Sequence, residues 1–212
     1  MKTLYATPHL KTPRDPGAAP IVPAKWQDLG LNAKLFYYAS AINSDSNMRV
    51  FTVHFTTPTR LSIERDICEA KRIISQRMRD YLPSVPWLFI LEMSSKGVLH
   101  IHGMINPLLN DDQSIETALK KVAGDYKKIS TCKDRHFFRR YSVNYGPTDW
   151  SASFCGCSGP YGWCRYIAKD TKRTKRLMGL NLNLLSVNHH ASKSARELHR
   201  EDCDAMRTYK SS

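Results

Sequence analysis

The chain has 212 residues, of which 42% are hydrophobic, and its 32 lysines and arginines against 19 acidic residues give a formal net charge of +13. This length supports one substantial hydrophobic core and excludes two independent ones. No apolar run reaches the length of a membrane span, no G-x-x-x-x-G-K-[ST] motif for ATP binding occurs, and the positive charge implies an anionic partner.

Residues 1–46 are predicted to form a proline-rich arm with one short helix, Leu31 to Ile42, that packs on the domain. The folded domain is predicted to span 47–180, and it begins with a strand at 49–57 that leads through Pro58 into a helix. The apolar residues of this helix recur at steps of three or four, which is typical of a stripe that faces a core. They are Ile63, Ile67, Ala70, Ile74, Met78 and Tyr81.

A histidine pair, His100-Ile101-His102, lies in the apolar run 98–105. Side chains alternate across a strand, so both imidazoles share one face while Ile101 points toward a core. Glu92 lies on the preceding strand. Two imidazoles and one carboxylate form a mixed nitrogen and oxygen donor set that suits Mg²⁺, Mn²⁺ or another first-row ion. The same set also suits iron in oxygenases, so the hairpin by itself does not select a chemistry.

The length of the hairpin loop decides whether these three side chains meet. With a three-residue loop, 95–97, Ser94 pairs with Val98 and Glu92 falls opposite His100. With a two-residue loop, Glu92 would point to the other side, because a slip of one residue turns every side chain over. The metal hypothesis therefore predicts the three-residue loop, with a positive φ at Gly97.

The remaining elements are predicted to be a helix at 114–124, a strand within 136–145 and, after a loop rich in Gly and Ser, a helix at 159–170. Residues 181–212 are predicted to be a basic and polar C-terminal tail that is helical near 192–207. The order βαββαβα predicts an α+β fold with a ferredoxin-like or RRM-like antiparallel sheet. We expect its helices on one face and the metal site on the other.

The predicted helix at 159–170 carries a phenol, an ammonium and a carboxylate on one side. Tyr166 precedes Lys169 by three residues and Asp170 by four, and these spacings make side chains neighbours on a helix. Tyrosine is a recognised covalent nucleophile, and a nearby cation favours its phenolate and stabilises negative charge on a transferring phosphoryl group. Asp170 would orient one of the other two side chains. Taken alone, the same pattern also fits a solvated amphipathic helix.

Taken together, the strand 50–56, Glu92 with His100-Ile101-His102, and Tyr166-Ile167-Ala168-Lys169-Asp170 resemble the three ordered motifs of the HUH endonuclease superfamily. The likeness is greatest to single-tyrosine replication initiator (Rep) proteins, and it covers residues 50–170. It implies that Glu92, His100 and His102 bind a divalent metal, Mg²⁺ or Mn²⁺, and that Tyr166 cuts single-stranded DNA. It further implies that Lys169 positions the phosphate or a metal-bound water. The first motif departs from the usual pattern at His54, which is expected either near the metal and the scissile phosphate or as a hydrogen-bonded core histidine.

The resemblance implies that 47–180 is an HUH endonuclease domain that nicks and rejoins DNA at an origin in rolling-circle replication, through a 5′-phosphotyrosine. The implied partners are single-stranded DNA at the origin and a host helicase and polymerase, since the chain has no ATP-binding motif of its own. Three alternatives stay open. The first is a transposase or relaxase of the same superfamily, and the second is a non-catalytic origin-binding or single-strand-binding module. The third is a metal-free two-histidine phosphoesterase built on His54-Phe55-Thr56 and His190-Ala191-Ser192.

The positive charge is concentrated around the predicted nucleophile. Residues 125–176 contain twelve Lys or Arg against four acidic residues, with aromatic residues interleaved among them. Cations beside stacking platforms suit unpaired bases. The residues predicted to contact DNA are Lys127, Lys128, Arg135, Arg139, Arg140, Trp163, Arg165, Lys172 and Arg173.

The chain contains six cysteines, and no apolar leader follows Met1. A reducing compartment is therefore expected, namely the cytoplasm of a bacterial host, or the nucleus if the element is a eukaryotic virus. Cys132, His136, Cys155 and Cys157 form a zinc alternative, but C-x-C is not the usual C-x-x-C knuckle, and ordinary thiols are the preferred interpretation.

Overall fold

A computed structural model describes residues 24–124, 142–147, 159–179 and 183–211 of the chain. It is an α+β structure built on one antiparallel sheet of five strands, in the order β4-β1-β3-β2-β5. The strands are β1 (Arg49–His54), β2 (Trp87–Met93), β3 (Leu99–Ile105), β4 (Ser142–Pro147) and β5 (Leu185–Val187).

Seven α-helices accompany the sheet within the described residues. They are α1 (Leu31–Ile42), α2 (Thr57–Glu64), α3 (Ala70–Tyr81), α4 (Asp112–Ala123), α5 (Gly159–Ala168), α6 (Thr171–Met178) and α7 (His189–Ser211). The structure confirms the predicted bounds of α1, and α4 lies within two residues of its prediction at either end. Asp111 caps α4 by accepting a hydrogen bond from Ser114 N, and Gly124 ends it with a φ of 98°.

The apolar stripe predicted as one helix is divided among α2, a short 3-10 helix and α3, because the chain leaves the α-helical path at Asp66. This residue has φ −130° and ψ 79°, and its side chain accepts a hydrogen bond from Glu69 N. Aspartate favours such caps because it satisfies a backbone amide that has no partner in the helix. A short 3-10 helix, Ile67–Glu69, then leads into α3. The stripe still faces the core, with Ile74 and Met78 fully buried.

The two edge strands relate differently to the prediction. Strand β4 covers Ser142–Pro147 and overlaps the predicted segment 136–145 at 142–145, and residues 136–141 lie outside the described residues. Strand β5 lies in the segment predicted as a tail, and its Leu185 pairs with Ile90 of β2. Helix α7 packs against α1, where Tyr37 donates a hydrogen bond to Asp202 Oδ2 at 3.0 Å. The arm helix and the tail therefore belong to the same folded body as the sheet.

The pairing of the strands assigns every side chain to one of two sheet faces. Phe51, Gly103, Phe89 and Ser186 form one row across the sheet, and we call their side the Phe51 face. Helix α3 packs there, since Ser75 Oγ lies 2.6 Å from Ser186 Oγ. Helix α4 joins it through Asp112, which accepts a hydrogen bond from Tyr145 at 2.6 Å.

The next row contains Thr52, His102, Ile90 and Leu185, and we call its side the His102 face. Helix α5 covers part of this face, because the Trp163 ring meets the His102 ring edge-on at 5.8 Å. Helices α1 and α6 flank α5 there. The expectation of helices on one face and the metal site on the other is therefore wrong. Strands β2 and β3 are buried at every position, as strands covered on both sides must be.

Gly103 lies at the centre of β3, where the chain has no room for a side chain. A Cβ at this position would overlap the carbonyl oxygen of Leu88 and the ring of Phe51. The carbonyl of Gly103 in turn accepts a hydrogen bond from the indole of Trp163 at 2.9 Å. Glycine here therefore permits close packing on the Phe51 face, and the Trp163 hydrogen bond ties the same backbone to α5.

We predict that Gly103→Ala lowers the free energy of unfolding by about 2 kcal/mol or more, because the added methyl group forces a buried backbone or ring to move. Urea unfolding followed by circular dichroism measures the change. Gly30→Ala is the matched control, since a Cβ at Gly30 meets nothing within 4 Å. Equal stability of the two variants would contradict this account of the sheet centre.

Candidate metal centre

The β2–β3 hairpin has the predicted register. Glu92 pairs with His100, and Ser94 N donates to Val98 O at 3.0 Å across the base of the turn. The loop is therefore 95–97, and Gly97 takes a φ of 70°. That conformation is open to glycine at little cost, and the odd number of loop residues puts the carboxylate on the His102 face.

Glu92, His100 and His102 form one buried group. Their exposed fractions are 6%, 5% and 4%. The two Nε2 atoms lie 3.2 Å apart, Glu92 Oε2 lies 3.2 Å from His102 Nε2, and Glu92 Oε1 lies 3.6 Å from His100 Nε2. One potential ligand atom from each residue lies within 4.8 Å of the others. Such a group can hold a metal ion.

Hydrogen bonds at the far side of each ring direct the ligand nitrogens inward. His100 Nδ1 lies 3.2 Å from the carbonyl oxygen of Val98, which can only accept, so this nitrogen carries the proton. His102 Nδ1 lies 2.7 Å from Thr52 Oγ1, and with the proton on Nδ1 the hydroxyl is its acceptor. Both Nε2 atoms then present lone pairs to each other. A cation bound between the two Nε2 atoms would remove this repulsion. The partners at Nδ1 fix the tautomer and the ring orientation, which is their usual role behind metal-bound imidazoles.

The electrostatics of the group also suit a cation. Among the described residues, Glu92 Oε2 is a buried oxygen that accepts no hydrogen bond. Burial by itself would raise the pKa of Glu92, but nearby positive charge, including the Lys169 ammonium, opposes it, and the net effect holds that pKa well below its usual range. Burial lowers the pKa of His102, and together with the effects of His100 and Lys169 it outweighs the opposing effect of Glu92. An ionised carboxylate and a neutral imidazole are the forms that bind metals.

Helix α5 places Tyr166 beside this group. Its ring meets the His102 ring edge-on at 5.2 Å and stacks on Trp163 at 5.0 Å. Lys169 Nζ lies 3.5 Å from the centroid of the Tyr166 ring and 3.7 Å from Glu92 Oε2. The ammonium therefore contacts the Tyr166 ring, as the spacing of three residues predicts, and it also forms an ion pair with the Glu92 carboxylate.

Asp170 lies just beyond the end of α5 but still beside Lys169. Helix α5 ends at Ala168, and Asp170 is the cap residue of α6, so the prediction of a helix through 170 is wrong. Asp170 Oδ2 lies 3.1 Å from Arg173 Nη2 and 3.8 Å from Lys169 Nζ. It thus contacts both cations that approach Glu92.

Arg173 is part of the centre, although the sequence predicts it among the DNA contacts. Its Nη2 lies 3.7 Å from Glu92 Oε1 and donates to the Met93 carbonyl at 3.4 Å. The sequence predicts neither Arg173 nor Thr52 as a residue that supports Glu92 or the two histidines. Thr52 lies two residues before His54 on β1, so strand parity could have revealed it.

His54 lies next to the group and outside it. Its ring stacks on His100 at 4.8 Å, with an angle of 14° between the planes. Burial lowers its pKa, followed by the effects of His100 and His102. His54 lines an open cleft of about 390 Å³ together with Glu92, His100 and His102. The other residues of this cleft are Thr52, Ser94, Ser95, Tyr166 and Arg173.

The predicted DNA contacts other than Arg173 divide into three groups. Arg165 and Lys172 are exposed, as a contact to DNA requires. Trp163 is 1% exposed and packs on His102 and Tyr166, so its prediction as a stacking platform is corrected: its ring has no free face for a base. The remaining five, Lys127, Lys128, Arg135, Arg139 and Arg140, lie outside the described residues.

The two-histidine phosphoesterase and the zinc site depend on residues elsewhere in the chain. His190 lies on α7, whereas the phosphoesterase would need it on a strand. The zinc ligands considered, Cys132, His136, Cys155 and Cys157, lie outside the described residues. Cys164 and Cys203 are buried free thiols, in line with the preferred interpretation of the cysteines. No helix in the described part of the chain is long and apolar enough to cross a membrane.

Comparison with known protein families, with curated proteins and with solved structures finds no match for this chain. The functional interpretation therefore depends on the geometry of the site.

We predict that Mn²⁺ stabilises the protein against thermal unfolding and that Glu92→Gln removes most of this effect. A ligand at 100 times its dissociation constant stabilises by about 2.7 kcal/mol, and an amide is a weaker metal ligand than a carboxylate. Differential scanning calorimetry with and without Mn²⁺ measures the rise in melting temperature that the ion causes. Glu64→Gln, a matched change on α2, should keep the full Mn²⁺ effect. An equal effect in both variants would remove Glu92 from the ligand set.

We also predict that Thr52→Val weakens Mn²⁺ binding by about 10-fold to 100-fold, because His102 loses the partner that orients its ring. Isothermal titration calorimetry gives the dissociation constant. Ser75→Ala is the control, since it also removes a buried hydroxyl but on the Phe51 face. An unchanged constant for Thr52→Val would mean that the hydroxyl does not support the ligand.

Proposed function

We propose that this chain is a metal-dependent DNA endonuclease and strand transferase of the HUH type, and that it initiates rolling-circle replication. One observation carries the proposal: the Tyr166 ring and the Lys169 ammonium lie against the Glu92, His100 and His102 group, beside an open cleft. A nucleophile, a cation and a metal-binding group in contact are the parts that phosphoryl transfer to a tyrosine requires.

The fold supports the same proposal. Strands β1 to β4 follow the order βαββαβ, with the first helical connection divided into α2 and α3, and β1 lies between β3 and β4. We interpret this part as a ferredoxin-like sheet to which β5 adds an edge strand beside β2. The central strands β1 and β3 then carry His54, His100 and His102, and β2 brings Glu92 next to them.

Glu92, His100 and His102 would hold the divalent ion, Mg²⁺ or Mn²⁺. When bound, such an ion supplies Lewis-acid stabilisation of negative charge on a scissile phosphate. The contacts of Thr52 and Val98 keep the two imidazoles in the ligand orientation. The cleft outside the three ligands leaves space for a phosphodiester.

In the proposed reaction, the phenolic oxygen of Tyr166 attacks the phosphorus of one phosphodiester. The new bond joins the tyrosine to the 5′ phosphate, and the bond from phosphorus to the 3′ oxygen breaks. The phenol loses one proton in the attack, and the 3′ oxygen gains one and leaves as a 3′ hydroxyl. Lys169 neutralises charge on the phosphate oxygens from its place between Tyr166 and Glu92. The free hydroxyl can prime synthesis, and the reverse reaction rejoins ends because the phosphotyrosyl bond conserves the phosphodiester energy.

The same residues would serve a transposase or a relaxase of the superfamily, and the DNA target separates these activities. As a replication initiator, the chain would act on single-stranded DNA at an origin. A host helicase would unwind the duplex, and a host polymerase would extend the 3′ end.

We predict that Tyr166→Phe abolishes covalent protein–DNA adducts and leaves DNA binding unchanged, because it removes the attacking oxygen and keeps the ring that packs on Trp163. End-labelled single-stranded oligonucleotides that tile the DNA around the gene are incubated with the protein and Mn²⁺. Adducts are then resolved on denaturing gels, and binding is measured by fluorescence anisotropy.

Tyr81→Phe, on α3, is the matched control and should form adducts at the wild-type level. EDTA should abolish adducts in both the wild type and this control. Adducts formed by Tyr166→Phe in wild-type yield would refute the assignment of the nucleophile, and cleavage that is insensitive to EDTA would refute the role of the metal.

A further inference from the structure

A second cavity lies on the His102 face, on the far side of α6 from the metal centre. It has a volume of about 450 Å³. Leu31, Ile90, Leu184 and Leu185 supply an apolar lining, and Lys172 and Lys175 of α6 line it as well. This volume is within the usual range for sites that bind small organic groups, and the combination of an apolar lining with ammonium groups suits a ligand with a flat apolar part and an anionic part.

The second cavity is connected to the metal centre through the sheet. Ile90 pairs with His102 on one side and with Leu185 on the other, so these three side chains form one row on the same face. Neighbouring strands lie about 4.8 Å apart, so the cavity lining begins one strand away from a metal ligand. Helix α6 contributes Arg173 to the cleft at the metal centre and Lys172 and Lys175 to the second cavity.

Four cations of α6 span the helix surface between these two sites. Successive residues turn by about 100° around a helix, so Arg173 and Lys175 project to opposite flanks, with Arg176 and Lys172 in between. Arg176 and Lys172 are exposed, and Arg173 and Lys175 are half-buried at the two flanks. Thr174 anchors the inner side of the helix by accepting a hydrogen bond from Met93 N at 3.1 Å. We call Lys172, Arg173, Lys175 and Arg176 the α6 belt.

Most of the belt charge is available to an external anion. Within the described residues, the carboxylates that contact the belt are Glu92 and Asp170, and both contact Arg173. Lys172, Lys175 and Arg176 form no ion pair with a described carboxylate. Three cations on a short helix that have no ion pair in the described part of the chain favour a polyanion whose charges are spaced along a chain.

We propose that the α6 belt guides a nucleic-acid single strand from the metal centre across α6 and that the second cavity receives one unpaired base of that strand. This inference rests on the proposed function for the identity of the strand. Helix α6 is about 10 Å wide, so roughly two or three nucleotides of the strand would span the distance between the two sites. The base would pack on Ile90, Leu184 and Leu185, and its flanking phosphates would contact Lys172 and Lys175. A paired base has no free face or edge to insert, so the cavity selects single strands.

Binding to a fluorescein-labelled 20-mer of thymidylate tests the belt. Lys172→Ala combined with Lys175→Ala should weaken binding by on the order of 10-fold at moderate salt. It should also reduce the salt slope by about 1.4, that is, about 0.7 for each lost phosphate contact on a single strand. Lys71→Ala combined with Lys121→Ala, on the Phe51 face, removes the same charge and should change binding less than twofold. Replacing Lys172 and Lys175 by arginine should restore the wild-type affinity.

Photocrosslinking tests the cavity. A 20-mer of thymidylate that contains 4-thiothymidine should crosslink to a peptide containing Leu184 or Leu185, and the double alanine variant at 172 and 175 should lose this crosslink. Crosslinks that avoid the cavity peptides, or equal affinities of the two double alanine variants, would overturn the inference. Melting temperatures equal to the wild type establish that each variant is folded.

The inference and the proposed function fail in different ways. If Tyr166 forms adducts but the alanine variant at 172 and 175 binds and crosslinks as the wild type does, the α6 belt is wrong and the nuclease stands. If the belt and the cavity bind thymidylate but no adduct forms with any oligonucleotide, the binding path stands and the nuclease is wrong.

Discussion

The register of the β2–β3 hairpin is the constraint on which the candidate site depends. A loop of three residues, 95–97, puts Glu92 opposite His100, so the carboxylate and both imidazoles leave the sheet on the same face. A shift of one residue would bury the carboxylate among the apolar side chains of the Phe51 face, at a high desolvation cost. Gly97, with its positive φ, permits the turn that holds this register. The ligand group is therefore a consequence of one short turn.

Charge compensation explains how a carboxylate can lie buried at the end of this sheet. Lys169 and Arg173 approach Glu92 from α5 and α6, and Asp170 contacts both of them. The two cations stabilise the ionised form of Glu92 and at the same time add positive charge around the cleft. Breaking such a buried network by removing one partner is costly, because it leaves a charge without compensation. Lys169 and Arg173 thus stabilise the buried carboxylate and also provide the positive charge that an anion in the cleft would need.

Helix packing on the His102 face brings the tyrosine to the metal-binding group. Trp163 lies on the buried side of α5, and its indole donates a hydrogen bond to the Gly103 carbonyl in the middle of β3. Tyr166 stacks on this tryptophan and meets His102 edge-on. Trp163, which the sequence predicts as a DNA contact, thereby supports and positions Tyr166, the predicted nucleophile. Helix α6 follows directly, and its two flanks face the metal centre and the second cavity.

The sequence by itself determined the features that depend on local spacing. The alternation of His100 and His102, the loop that aligns Glu92 and the bounds of α1 follow from strand parity, turn length and helical periodicity, which act over a few residues. The spacing from Tyr166 to Lys169 also predicted the contact between these side chains. Tertiary structure alone decided that helices cover both faces, that β5 joins the sheet and that Arg173 reaches Glu92. These features depend on contacts between residues far apart in the chain, and a three-residue strand or a basic helix carries no periodic signal strong enough to reveal them.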